Sequence, residues 1–325
     1  MASLGQGGRE GNAMAHNRIT IPSPTGATLN TYVYTPLQRP KAIIQINHGL
    51  AEHAARYKPV MTWLAHEGFA AIAHDHRGHG RTKAPDAPPG HFGLRDGDIV
   101  LDDVEAIWAW ARDRWPGTPL FVFGHSMGGL IGLNAVMRKP KGIAGLAVWN
   151  SNAAPGISGR LAQTIIWTEH RLRGPHRVSQ TLPMLTFGAW WRGMKKPRTA
   201  FDWLSRDPDV VDAYIADPLC GWHPSVAVWE AILGWSRAGE DKKKLRELPR
   251  YLPIYILGGT DDPATEGGEA CRRLAKRLQQ EGRKGVRLNI VTGARHETLN
   301  DRTREKALIG LRQWVNESVA QGAVR

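Results

Sequence analysis

Gly124-His125-Ser126-Met127-Gly128-Gly129 lies between an apolar run, Leu120-Phe121-Val122-Phe123, and an apolar helical pattern over residues 130–137. A serine is thereby placed on a sharp strand-to-helix turn. Such a turn needs small residues two before and two after the serine, because side chains there collide with neighbouring backbone. Gly124 and Gly128 meet that need, and Gly129 lets the following helix pack closely. The N-terminus of that helix also favours negative charge developing beside the serine.

Working outward, residues 18–21 and 28–34 alternate in polarity around the turn chemistry of residues 22–26, and so predict an antiparallel hairpin. Apolar strands at 42–47, 70–75, 120–123 and 145–149 then alternate with helical patterns at 55–67, 99–114 and 130–137. Nearly continuous apolar strands alternating with helices predict a mostly parallel sheet covered on both faces. From 151 to 235 the rhythm breaks into tryptophan-rich helical patterning without convincing strands, an expected helical cap. The sheet resumes with strands at 253–257 and 286–291 and helices at about 266–281 and 302–319. The expected organisation is a tail or expression scar at 1–16, a core in two parts, 17–150 and 236–325, and the cap at 151–235 between them.

A chain of 325 residues, 42% of them hydrophobic, can bury a large single core. No apolar stretch approaches the roughly 18 to 20 residues of a membrane-spanning helix, and no charged-then-apolar leader opens the chain, so a cytoplasmic setting is expected. Two cysteines, Cys220 and Cys271, with no Cys/His cluster at ligand spacing, argue against disulfide scaffolds and structural zinc. The formal charge of +13 raises nucleic acid as a partner, but the clusters at Lys195-Lys196, residues 242–244 and Arg272-Arg273 are short and read as solvated faces. No nucleic acid and no stable membrane insertion are expected, though transient contact with a lipid interface is compatible with the charge.

A serine hydroxyl is a weak nucleophile, so it needs a base within hydrogen-bond reach and a group that orients the base. Sites in open parallel sheets form at the carboxyl ends of strands. His296 follows the last strand in Gly293-Ala294-Arg295-His296-Glu297, and Asp262 follows the preceding one in Gly258-Gly259-Thr260-Asp261-Asp262-Pro263. Asp261 competes with Asp262 for the third role. The order Ser, Asp, His is the one expected of an α/β-hydrolase. Backbone N–H donors for an oxyanion are expected from Met127, just after the serine, and from Leu50 in His48-Gly49-Leu50.

These residues carry a family resemblance. The chain resembles α/β-hydrolases of the monoacylglycerol lipase and lysophospholipase-like group, also labelled serine aminopeptidase-like. His48-Gly49-Leu50-Ala51-Glu52-His53-Ala54-Ala55-Arg56-Tyr57 is similar to that group's H-G-x-x-E-H-x-x-R-Y signature, as are Asp75-His76-Arg77-Gly78-His79-Gly80-Arg81, the serine turn, the Asp262 turn and Arg295-His296-Glu297. Arg81 departs from the pattern, where the group often has serine. The resemblance implies a Ser126, Asp262 and His296 triad, an oxyanion hole from Leu50 and Met127, and a bracing role for Glu52, His53, Arg56 and Tyr57.

A serine carboxylester hydrolase is therefore expected, acting on monoacylglycerols, lysophospholipids or other small esters through an acyl-enzyme, with no metal or organic cofactor. Leu50, Trp149, Trp190 and Trp203 are expected to line the substrate pocket. The same triad could serve amide or carbon-carbon hydrolysis or acyl transfer, and a non-catalytic binding relative is the alternative from another class. Dehalogenase and epoxide hydrolase chemistry is disfavoured, because it uses a carboxylate at the turn.

Overall fold

A computed structural model describes residues 14–93 and 97–322. Its sheet has eight strands: β1 (Met14–Pro22), β2 (Thr28–Pro36), β3 (Ile43–Asn47), β4 (Ala70–His74), β5 (Leu120–His125), β6 (Gly145–Trp149), β7 (Ile254–Gly259) and β8 (Val286–Val291). Their spatial order is β1-β2-β4-β3-β5-β6-β7-β8. The β1/β2 hairpin and the β2/β4 pair are antiparallel, and β4, β3 and β5 to β8 run parallel. The expected α/β architecture is the one observed. β1 begins at Met14 and pairs it with Pro36, so residues 14–16 of the supposed tail belong to the sheet. The rest of that tail, residues 1–13, lies outside the described residues.

Side chains on a strand alternate between faces, and in the central strands β3 to β7 both faces are buried. Leu120 and Val122 of β5, Leu146 and Val148 of β6, and Ile254 and Ile256 of β7 pack toward α2 (Asp98–Arg114) and α3 (Met127–Arg138). The intervening Phe121, Phe123, Ala147, Trp149, Tyr255 and Leu257 pack toward α1 (Lys58–His66) and the C-terminal helix. This alternation corrects the expectation for Trp149. Its ring lies fully buried against Phe123 and Tyr255, at centroid distances of 5.0 and 5.5 Å, on the face away from α3, and it does not line the pocket.

Between β6 and β7 the described chain is helical: α4 (Gly156–Arg173), α5 (Thr181–Leu185), α6 (Phe187–Arg192), α7 (Pro208–Ala216), α8 (Val226–Ala238) and α9 (Lys242–Glu247). Local chemistry starts three of them. The side chains of Asp207, Ser225 and Asp241 accept from first-turn N–H groups of α7, α8 and α9. Helix α10 (Glu269–Gln280) buries Ala270, Cys271, Leu274 and Leu278 along one stripe, and α11 (Arg304–Ala320) closes the fold. Both cysteines are free. Among the described residues, no helix is long and apolar enough to cross a membrane.

The turn at Ser126 shows why its glycines are required. Ser126 has φ of 55° and ψ of −121°, which brings β5 and α3 into close approach. A Cβ at Gly124 would stand 2.1 Å from the Gly128 carbonyl oxygen, and one at Gly128 would stand 2.1 Å from that of Asn47. Neither neighbour is a side chain that could swing away. Gly128→Ala is therefore expected to destabilise the fold by about 3 kcal/mol or more, the upper end for overpacking. Urea unfolding checks this, and an unchanged midpoint would contradict the backbone clash.

Candidate active site

Three loops at the carboxyl edge of the sheet bring Ser126, His296 and Asp262 together. His296 Nε2 lies 2.9 Å from Ser126 Oγ, and its Nδ1 lies 2.9 Å from Asp262 Oδ1. With Nδ1–H donating to the carboxylate, Nε2 is left to accept from the serine hydroxyl. Asp262 is fully buried and well supplied with donors: Ala264 N–H at Oδ1 (3.0 Å), and Asn150 Nδ2 (3.0 Å) and Thr265 Oγ1 (2.8 Å) at Oδ2. Burial works to raise its pKa, but His296 and these donors outweigh it and hold the carboxyl below the usual range. The competing Asp261 turns outward and pairs with Arg206, itself exposed.

The N–H groups of Leu50 and Met127 have no acceptor among the described residues. For Leu50 the cause lies one residue back. His76 N–H donates to His48 Nε2 (2.9 Å), so the ring's Nδ1 carries the proton and donates to the Gly49 carbonyl (2.7 Å). Because the peptide is trans and planar, a carbonyl held by His48 turns the Leu50 N–H the opposite way. Met127 is the first residue of α3, where an N–H has no partner within the helix.

The family model described as serine aminopeptidase, S33 matches residues 38–303. The chain belongs to that family. Monoacylglycerol lipase of Mycolicibacterium smegmatis is 28% identical over 287 residues, spanning 87% of this chain and 91% of that protein. Human monoglyceride lipase is 29% identical over 266 residues, 81% of this chain and 78% of its own. A crystal structure of a thermostable carboxyl esterase from Bacillus coagulans in complex with glycerol superposes with a TM-score of 0.86 at 25% identity, covering 94% of this chain and all of that one. The fold is accordingly that of an α/β-hydrolase.

Within this S33-family chain, a buried ionic network ties the three loops to one another. Glu52 accepts from Gly49 N–H (2.6 Å), Tyr57 Oη (2.9 Å) and Arg56 Nη1 (2.6 Å). Arg56 also grips Glu297, the neighbour of His296, through two bonds of 2.5 and 2.7 Å. His125 Nε2 donates to the His296 carbonyl (2.9 Å), and its Nδ1 faces Glu52 (3.4 Å). Burial alone would lower the His125 pKa, but Glu52, Glu297 and that carbonyl raise it above its ordinary value. The His125 ring thus bridges the serine turn, the Leu50 loop and the His296 loop. From the helical stretch, Tyr214 Oη and Gly221 N–H both donate to the Ala51 carbonyl at 2.9 Å, and His53 pairs with Asp217 at 2.8 Å.

The family member's cavity above Ser126, about 440 Å³, is lined by Leu50, Met127, Trp190 and Trp203 among others. Sequence reading missed Asn150, which also accepts from Thr298 and so ties β6 to the loops of Asp262 and His296. Its place just past the β6 end was the available signal. It also missed the bridging role of His125, whose acceptors lie 73 and 171 residues away in the chain.

Behind the Leu50 loop sits a second group of imidazoles. Ring centroids of His48 and His76 are 4.4 Å apart, those of His74 and His76 4.7 Å, and those of His48 and His79 5.1 Å. All four are buried, and burial is the main cause that lowers His48 and His79 to about 3, His74 to about 4 and His76 well below its ordinary value. The fold holds these rings neutral, whereas the unfolded chain protonates them near about 6.5. Their contribution is complete above that pH and is lost as pH falls through about 4 toward 3. Each can cost up to about 1.4 kcal/mol per pH unit in that window. The urea midpoint is expected to fall steeply below about pH 6; a flat midpoint from about pH 7 to 4.5 would contradict the neutral cluster.

Proposed function

We propose that this chain is a serine carboxylester hydrolase acting on small esters with an apolar acyl part, monoacylglycerols and lysophospholipids among them. The observation that carries the reading is the 2.9 Å and 2.9 Å relay from Ser126 through His296 to Asp262 at the floor of an apolar cavity. Relatives named monoacylglycerol lipase and monoglyceride lipase support the substrate class.

Ser126 Oγ attacks the ester carbonyl carbon as its proton passes to His296 Nε2. The carbonyl oxygen gains the negative charge and is met by the Leu50 and Met127 N–H groups. Collapse of the tetrahedral centre breaks the bond to the alkoxy oxygen, which leaves as the alcohol with the proton from His296. Water then attacks the acyl-serine, giving its proton to His296, and the second collapse returns that proton to Ser126 Oγ and frees the acid. Asp262 holds the imidazole in the required tautomer throughout. Residues 151–235 serve as the lid in this reading. The two free cysteines fit a reducing, cytoplasmic setting.

The test pairs a fluorophosphonate probe with p-nitrophenyl esters of graded chain length. Labelling at Ser126, mapped by peptide mass, and ester turnover are expected together. A chain that turns over anilides but none of the esters, or that takes no label, overturns the assignment.

A further inference from the structure

We infer that this site, among esters of equal hydrophobicity, prefers one with a planar aromatic ring next to the scissile group, a refinement that rests on the ester-hydrolase reading above. The imidazole of His296 is flanked by two indoles, Trp203 at 5.1 Å and Trp190 at 6.3 Å between centroids. Phe187 stacks on Trp203 with an interplanar angle of 7° at 5.7 Å, and Trp190 meets Trp203 edge-on at 4.8 Å. Phe187, Trp190, Trp191 and Trp222 are only partly buried, and all four line the cavity. A group attached near the scissile carbonyl therefore meets ring faces and edges on one side and the aliphatic Leu50, Met127 and Leu130 on other parts of the lining.

Aromatic walls distinguish ligands of equal hydrophobicity. An alkyl chain gains the area it buries and loses the freedom of several rotors. A phenyl group of similar transfer free energy gains the same area, has fewer rotors to freeze, and adds offset or edge-to-face pairing, about 0.5 to 1.5 kcal/mol for each ring pair. Aromatic walls also attract cationic head groups through the ring quadrupole, and a free carboxylate beside them adds to that attraction. Here the lining carboxylates Glu52 and Glu297 are both engaged by Arg56. The chemistry of the wall thus favours a neutral aryl group.

Two matched pairs of substrates test this: methyl 3-phenylpropanoate against methyl hexanoate for a ring on the acyl side, and benzyl acetate against butyl acetate for a ring on the alcohol side. In at least one pair the aryl ester is expected to have a kcat/KM about tenfold higher, the size of one or two ring pairs. Trp190→Leu should bring that ratio to about one, chiefly by lowering the aryl value, while Trp190→Phe keeps most of it. Alkyl esters turned over as well as aryl esters in both pairs, or a preference that survives Trp190→Leu and Trp191→Leu, would overturn the inference and leave the ester-hydrolase reading standing. No turnover of any of the four esters would remove both.

Discussion

Ser126→Ala is expected to lower kcat on a p-nitrophenyl ester by at least about 10³-fold with little change in KM. The reason is specific to where the hydroxyl sits. Its oxygen is the only atom of the relay positioned to bond the carbonyl carbon, so its removal leaves His296 with nothing to activate but water. Binding should survive, because the cavity wall and the two free N–H groups are untouched. The φ of 55° at this position is tolerated by alanine as poorly or as well as by serine, so the fold should be unchanged. Residual turnover from the N–H pair and binding alone is expected. A variant that hydrolyses the ester at the native rate would remove Ser126 from the chemistry.

Asp262→Asn is expected to be comparably severe, about 10⁴-fold in kcat. The carboxylate accepts from four donors, two at each oxygen: His296 and Ala264 at Oδ1, Asn150 and Thr265 at Oδ2. An asparagine must turn its NH₂ toward one of those pairs. If it faces His296, the imidazole is driven to the other tautomer, and Nε2 then carries a proton and cannot accept from Ser126. If it faces Asn150 and Thr265, buried donors oppose buried donors at about 1–3 kcal/mol for each unsatisfied group. Both a pH–rate profile and urea unfolding should register the change. Asp261→Asn, which affects an exposed pair with Arg206 and an exposed bond accepted from Thr260 Oγ1, is the control and should cost less than about threefold.

Much of this was readable before any coordinates because the constraints were local. The glycines around Ser126 announce a turn that only they permit, and the alternation of apolar strands and helices announces a covered parallel sheet. His296 and Asp262 follow strands, as chemistry in such sheets requires. Other features had no local signature. Adjacent aspartates cannot be told apart by position, and what separates them is that the Asp262 side chain caps its own turn while reaching inward. Trp149 ends β6 close to the site, yet its side chain points to the face packed by Phe123 and Tyr255. With apolar residues on both faces of β6, period two marks alternation but not which face looks where. The bridging of His125 and the anchoring by Asn150 depend on partners more than 70 residues away, and a single sequence carries no record of such pairs.

The double grip of Tyr214 and Gly221 on the Ala51 carbonyl has a practical consequence for protein engineering. That carbonyl belongs to the residue directly after Leu50, so the helical stretch that helps line the cavity also holds the backbone on which the developing charge would rest. A chimaera that imports a foreign helical stretch to change selectivity would keep its rate only if Tyr214 and Gly221 travelled with it. Grafts that cut between Tyr214 and Gly221 would discard one half of the clasp and lose turnover for any gain in scope.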